Sequence, residues 1–423
     1  MADIKQLAGM LNELDDLLTR CMRCGLCQAQ CPVFARTGRE ADVTRGKLAL
    51  LSGLSREMLK DPEQVREKLN RCLLCGTCEV NCPSGVKVTD IFLRARAILS
   101  GYLGLPPVQR LVFRRLLTRP KLMNRLISMS SLFQGFFSKD ADSIIGTSCA
   151  RFNAPLIKDR HFKKLAGKPL HRQVPSLDTP SGSSGLRVAF FPGCITDKLF
   201  PEVGLAALKI LKHHRVGVFM PQGQSCCGIP ALSSGESDVF SRLVRQNVRL
   251  FSAGRWDYLL TPCATCTATM RKLWPEYHKG SLGRVIPDNI LDVSQFMVDV
   301  LGVKEVPGSG EKVRVAYHDP CHLRNTLQVT AQPRTIINSG GQYTVSELPG
   351  GASCCGSGGS FNLKHYQLSR DIGLQKARDI VSTDAKIAAT ACPACMLQLG
   401  DMLSREKASM PVKHVLELYA ESL

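Results

Sequence analysis

Eighteen of the nineteen cysteines in this 423-residue chain fall into regular patterns. Eight form two runs: Cys21, Cys24, Cys27 and Cys31 in "CMRCGLCQAQCP", and Cys72, Cys75, Cys78 and Cys82 in "CLLCGTCEVNCP". Ten more form two sets of five: Cys194, Cys226, Cys227, Cys263 and Cys266, then Cys321, Cys354, Cys355, Cys392 and Cys395. Thiolates are soft ligands that suit zinc and iron-sulfur clusters. A [4Fe-4S] cubane needs one thiolate per iron. In each run the two-residue gaps let three sulfurs converge on one side of a loop, so the fourth must come from elsewhere. Structural zinc takes four ligands in a closed tetrahedron and fits poorly with three closely spaced cysteines followed by Cys-Pro, twice over. The runs read as two cubanes.

The spacing C-x2-C-x2-C-x3-C-P is that of two-cluster bacterial ferredoxins, in which the fourth cysteine of each run ligates the other cluster. On that pattern Cys21, Cys24 and Cys27 hold one cluster with Cys82, and Cys72, Cys75 and Cys78 hold the second with Cys31. Pro32 and Pro83 fix the backbone after each fourth cysteine. Between the runs, "RGKLALLSGL" and "EQVREKLN" have helical patterns. This stretch resembles the helical ferredoxin domain of succinate dehydrogenase iron-sulfur subunits and their relatives.

The sets of five belong to a longer repeat. "LRVAFFPGC" (186–194) matches "VRVAYHDPC" (313–321), and each is followed by Cys-Cys-Gly and then C-x-x-C. The gaps are 31, 35 and 2 residues in the first copy and 32, 36 and 2 in the second. Both copies read as strand, helix, strand, helix, strand, which implies a parallel α/β sheet. Ligands of such sheets collect beyond the carboxyl ends of the strands. Each cysteine group is expected there, at helix N-termini that favour thiolate. Five thiols are one too many for a cubane or a simple zinc site. The alternatives are zinc with a spare thiol, a vicinal disulfide at Cys226-Cys227, or an open iron-sulfur cluster.

Smaller signals sit beside these sets. His318, Asp319 and His322 flank Cys321, where the first copy has Phe191, Pro192 and Ile195. They either deliver protons to a substrate or quinone, or hydrogen-bond the local loop. "GSGGS" after Cys355 reads as backbone passing close to a cluster rather than as a phosphate loop, because the Lys-Ser/Thr of such a loop is missing. Cys149, outside every pattern, reads as an ordinary buried thiol. No G-x-G-x-x-G lies between a strand and a helix, so flavin or nicotinamide binding is assigned to another chain.

The C-x31-CC-x35-C-x2-C pattern resembles the cysteine-rich "CCG" domains of heterodisulfide reductases. That resemblance implies one or two further, non-cubane [4Fe-4S] clusters in this part of the chain. A twin-cluster domain followed by two CCG domains resembles, over nearly the full length, the iron-sulfur subunit of glycolate oxidase and of related D-lactate dehydrogenases. It is also similar to the electron-accepting subunit of anaerobic glycerol-3-phosphate dehydrogenase. The resemblance implies an electron-transfer subunit of a flavin-linked 2-hydroxy acid dehydrogenase. An FAD-binding dehydrogenase subunit would be the donor, and a quinone or other membrane electron carrier the acceptor. The alternative it leaves is a catalytic subunit of a disulfide reductase. No catalytic residue is assigned.

The expected fold class is a multidomain α+β and α/β chain: a helical twin-cluster ferredoxin domain over 1–100, a helical connector and linker over 101–185, and CCG domains over 186–305 and 311–423. "VPSLDTPSGSSG" (174–185) reads as a flexible linker, and "VPGSGE" (306–311) separates the two CCG domains. Pro120 should split the basic, apolar stretch 105–137 into two helices, of the kind that rests on an anionic membrane surface, receives an acidic partner or packs on its neighbours. The net charge of +19 counts every cysteine as neutral. Cluster-bound thiolates would offset part of it, so no nucleic-acid partner is expected. The acidic N-terminus lacks signal-peptide character, and no apolar run is long enough to span a membrane. A cytoplasmic location is expected, with the inner face of the membrane as a peripheral contact.

Overall fold

Leucines at three- and four-residue steps build the N-terminal helices. The computed structural model describes residues 4–152, 159–278, 280–283, 285–306, 311–408 and 410–423. The "PGSG" of the expected separator (307–310) lies outside them. Within α1 (Ile4–Leu11), α2 (Thr44–Ser55), α3 (Pro62–Asn70) and α4 (Val88–Leu103), the buried faces of Leu7, Leu11, Leu48, Leu51, Leu54, Leu69, Ile91, Phe92 and Leu99 form one core. Asp61 starts α3 by accepting the Gln64 N–H at 3.0 Å, with Pro62 at the first helical position. Cys21, Cys72, Cys78 and Cys82 pack against the edge of this core, so the ligand loops hang on a rigid apolar scaffold.

The chain divides into two compact units. The first holds the residues up to Arg115 together with 228–240 and 356–372, the stretches that follow each Cys-Cys. Buried Arg96 secures the first of these stretches. It donates to Ser233 O at 3.0 Å, to Leu69 O at 2.6 Å and to Cys72 O at 3.0 Å. Ser100 Oγ donates to Ser234 O at 3.0 Å. The second stretch passes so close that a Cβ on Gly358 would lie 2.6 Å from the Leu73 side chain, and Gly358 has φ +52°. Glycine there allows both the left-handed backbone and the approach.

The second unit carries two sheets built on parallel strands. In the first, an edge strand β1 (Leu177–Asp178) precedes β2 (Arg187–Phe190), β3 (Gly217–Met220), β4 (Tyr258–Thr261) and β5 (Ile290–Asp292), in the order β1-β3-β2-β4-β5. β1 runs antiparallel to β3, and the other pairs are parallel. The second sheet has β6 (Val313–His318), β7 (Tyr343–Ser346), β8 (Ile387–Thr390) and β9 (Val412–His414), all parallel, in the order β7-β6-β8-β9. Each copy thus has a fourth parallel strand beyond the three read from sequence. The two copies meet through a small apolar cluster of Phe200, Val203 and Met396.

Two expectations are corrected. The 174–185 stretch is not a free linker. Its Leu177 and Asp178 add an edge strand, and both Gly182 N and Ser184 Oγ donate to Arg215 O. Nor is the connector all helical. After α5 (Pro120–Phe137), the strands Ser138–Asp142, Thr147–Ala150 and His161–Lys163 form an antiparallel sheet. The Lys-Asp-Ala-Asp segment (139–142) offers no apolar helical face, and Gly146, at φ +73°, turns the chain back into the second of these strands. Cys149 lies in that middle strand, half-buried rather than buried. Pro120 stands at the start of α5 and separates it from the helical turns before it.

Candidate metal centres

In the first unit the two runs share one backbone design. Arg23 and Leu74 take left-handed φ of 57° and 53°, and Gly25 and Gly76 cap the following helices at 87° and 73°. This alternation of left-handed residues curls each run so that its first three cysteines face inward. Cys31, Cys72, Cys75 and Cys78 line one cavity, and Cys21, Cys24, Cys27 and Cys82 line another, with Cys78 also at its wall. Each cavity thus gathers three cysteines of one run and the fourth of the other. Backbone N–H groups point at sulfur: Leu74 N lies 3.4 Å from Cys72 Sγ, and Phe34 N lies 3.5 Å from Cys31 Sγ.

Burial makes Cys27, Cys31 and Cys78 hard to ionise without a metal. Desolvation, reinforced by Cys72, pushes Cys31 up to about 11, and burial also drives Cys78 well up. Buried Lys47 lines the Cys72 cavity and donates to Asp42 O and, at 3.2 Å, to Arg71 O. Burial lowers the pKa of both Lys47 and Arg96, and the neighbouring Cys72 sulfur opposes that fall. A cluster here would exchange thiol protons for a metal core and, with its four thiolates counted, would carry net negative charge. Two buried cations beside Cys72 suit that charge.

In the second unit every cysteine group follows a strand end, as the α/β reading requires. Cys194 opens the helix Cys194–Leu199, while Cys263 and Cys392 cap α6 (Ala264–Ala268) and α7 (Pro393–Arg405). Against the pull of the helix N-termini, burial and contact with other thiols raise the pKa of Cys194, Cys263, Cys266 and Cys395. Contact with Cys226, then burial, pushes Cys194 well up. Cys227 and Cys263 do the same to Cys266, and Cys355 and Cys392 to Cys395, because crowded buried thiols share protons more readily than they lose them. Cys392, in contrast to these four, is held well down by hydrogen bonds from Cys263 and Cys395. Contacts therefore link Cys227, Cys266, Cys263, Cys392, Cys395 and Cys355 into one chain of thiols across both repeats. Its Cys355–Cys395 step measures 3.5 Å.

The three polar residues around Cys321 separate. Asp319 pairs with Arg334 at 2.6 Å, a structural role. His322 Nδ1 lies 3.1 Å from Thr265 Oγ1, which is itself 3.7 Å from Cys392 Sγ. His318 is 1% exposed, with neither ring nitrogen partnered among the described residues. One ligand atom each of His318, Cys355 and Cys395 lies within 4.8 Å of the others, a spacing that can hold one metal ion. Sequence reading grouped His318 with its neighbours and missed that its ring lies within ligand-sharing distance of Cys355 and Cys395. The place of His318 as the last residue of β6, with Asp319 just beyond the strand, was the available signal. Asp292 and His414, the residues that end β5 and β9 and cap the next helices, were also missed.

Comparison with known proteins matches these parts. The 4Fe-4S dicluster domain family matches residues 17–86, and the cysteine-rich (CCG) domain family matches 188–271 and 315–400. A probable glycolate oxidase iron-sulfur subunit of Bacillus subtilis (strain 168) is 30% identical over 442 residues, spanning 99% of this chain and 98% of that protein. The chain belongs to the glycolate oxidase iron-sulfur subunit family. Lactate utilization protein A of Oceanobacillus iheyensis is 31% identical over 55% of this chain and 96% of its own length. One subunit of a fumarate reductase (CoM/CoB) from Methanothermobacter marburgensis is 33% identical over 64% of this chain, which spans about half of that relative, 54%. Among the described residues no helix of this family member is long and apolar enough to cross a membrane.

Proposed function

We propose that this chain is the iron-sulfur electron-transfer subunit of a flavin-linked 2-hydroxy acid dehydrogenase, acting on glycolate or D-lactate. A separate FAD-binding subunit takes two electrons from the hydroxy acid, and this chain passes them on singly toward a quinone or another carrier. The observation that carries the reading is the division of eight cysteines between two cavities, three from one run and one from the other in each. That donor arrangement fits two [4Fe-4S] cubanes, held by Cys21, Cys24, Cys27 and Cys82 and by Cys72, Cys75, Cys78 and Cys31. The five-thiol sets, both complete, fit one or two further clusters of an open, non-cubane kind.

Bound clusters supply one-electron redox steps. The protein's part is to fix the sulfurs, direct N–H groups at them and place Lys47 and Arg96 where they offset negative charge. The continuous thiol chain across the repeats favours a second reading in which disulfide chemistry ends the pathway, with this chain itself a disulfide reductase. A tagged chain purified anaerobically from its host decides between them. Co-purification with a flavoprotein, and bleaching of cluster absorbance by glycolate or D-lactate, would support the electron-transfer role. Turnover of disulfides by the chain alone, with reductant supplied and lost in Cys226→Ser, would replace it. Colourless protein without labile sulfide would defeat both.

A further inference from the structure

Helix α5 is apolar on two opposite faces. At 100° per residue, Pro120, Met123, Asn124 and Ile127 share one side and Leu122, Leu126, Met129, Phe133 and Phe136 share the other. The first side lines a cavity of about 510 Å³. The second faces outward, with Phe133 63% and Phe136 65% exposed and Leu132 beside them 80% exposed. Core packing does not account for that outer face, since Ser128 is the helix's buried residue. Between Leu105 and Lys139 the sequence has seven Arg or Lys and no Asp or Glu, so the surroundings of the face are cationic. Exposed aromatics with basic flanks, on a helix that cannot span a bilayer, fit an interfacial helix on anionic lipid.

The cavity under the helix has the size of a small-molecule site. Its walls include Phe191 and Met220, and also Cys194 and Cys226 of the first five-thiol set. Two unpartnered buried acceptors belong to it as well, Gln224 Oε1 and Ser225 Oγ. The Gln224 amide cannot simply be flipped, because Nε2 donates to Phe190 O at 3.0 Å and to Pro221 O at 3.2 Å. His171 and Lys198, joined through Asp197, add donors to the wall. An apolar chamber beside redox-active thiols, holding both donors and free acceptors, suits a flat ligand that is a carbonyl when oxidised and a hydroxyl when reduced.

We propose that this cavity binds a lipophilic quinone, which enters from an anionic bilayer on which the outer face of α5 rests. The proposal rests on the electron-transfer reading above and names where electrons leave. The quinone gains two electrons, delivered singly from clusters refilled by the flavoprotein's oxidation of the hydroxy acid, and two protons from water, giving the hydroquinone. No bond to the protein forms. Donors such as His171 meet the quinone carbonyl, and Gln224 Oε1 accepts from the hydroquinone hydroxyl.

The test uses the full chain with its clusters intact under anaerobic conditions. Wild-type protein should co-sediment with vesicles of phosphatidylglycerol and phosphatidylcholine and not with phosphatidylcholine alone. F133D/F136D should lose that binding at least tenfold. Dithionite-reduced clusters should be reoxidised by decylubiquinone, and I127W, which fills the cavity, should slow that reaction at least tenfold more than it slows reoxidation by ferricyanide. Equal slowing of both oxidants, or none, overturns the quinone site. If wild-type protein ignores anionic vesicles while F133D/F136D loses the flavoprotein, the face is a subunit interface and the membrane contact is overturned. Both failures leave intact the reduction of clusters by hydroxy acid through the flavoprotein. Loss of that reduction would instead strike the electron-transfer reading itself.

Discussion

The two cysteine-rich repeats share a backbone plan and differ in what they put beside it. In the first, position 191 is phenylalanine, and its neighbourhood opens into the chamber under α5. In the second, the matching residue is His318, sealed from water and within metal-sharing distance of Cys355 and Cys395. The Cys227–Cys266 contact has its counterpart in Cys355–Cys395, yet only Cys392 is held well down. Duplication fixed the positions of the sulfurs and left their surroundings free to diverge. One repeat opens onto a cavity, while the other packs a buried histidine against its thiols.

The most severe break in this comparison removes one centre at a time. Cys227→Ser and Cys355→Ser should each abolish the metal content of their own repeat while the other repeat and the N-terminal clusters persist. Iron and sulfide analysis with low-temperature EPR checks this, and a joint loss from either variant would mean that the thiol chain behaves as one site. Next, exchange of the divergent residue should move redox properties of the second centre alone. His318→Phe should lower its midpoint potential by on the order of 100 mV, because imidazole ligation raises cluster potentials, and should erase any nitrogen hyperfine coupling. A coupling that survives the substitution would remove His318 from the centre.

The third prediction concerns the two helix-capping residues at equivalent strand ends. Burial raises Asp292 to about 7 and lowers His414 to about 4, so Asp292 keeps its proton up to about pH 7 and His414 stays neutral down to about pH 4. For Asp292 the folded form binds its proton more tightly, so its contribution is complete at low pH and fades as pH rises through 7. For His414 the sign reverses: its contribution is complete above the ordinary histidine range and fades as pH falls toward 4. Asp292→Asn should therefore remove a fall in stability as pH rises from about 4 to 7, and His414→Asn a rise in stability from about pH 4 to 6.5. Each effect should be on the order of 1–3 kcal/mol, read by thermal unfolding from about pH 4 to 9. The smallest effect should come from Thr265→Val, which removes the hydroxyl between His322 and Cys392 and costs about 1 kcal/mol in unfolding.

Cysteine spacing was the most legible feature because ligand geometry forbids variation. It anticipated the sharing of Cys31 and Cys82 between the cavities of the two runs, and the placing of the later sets at strand ends. What stayed hidden depended on partners far along the chain. β5 and β9 span three residues each, too few for a period-two pattern to register. β1 lies in a proline- and serine-rich stretch whose composition resembles a tether, and pairing with β3 overrides it. His318 and Asp319 are adjacent in sequence, but β6 ends at His318, which lies beside the thiols, while Asp319 just beyond it pairs with Arg334.

The stretches 228–240 and 356–372, which complete the N-terminal unit, carry a consequence for biosynthesis. The chain past Gly358 that covers Leu73 leaves the ribosome nearly three hundred residues after the last cysteine of the ferredoxin runs. At roughly 5–20 residues per second that is a delay of about 15–60 s. During it, the Cys72 loop lacks its cover, and a cluster inserted early would meet oxygen without that shelter. Premature termination anywhere before that segment should therefore yield a polypeptide that holds its iron poorly in air, even though all eight cysteines of the two runs have been made.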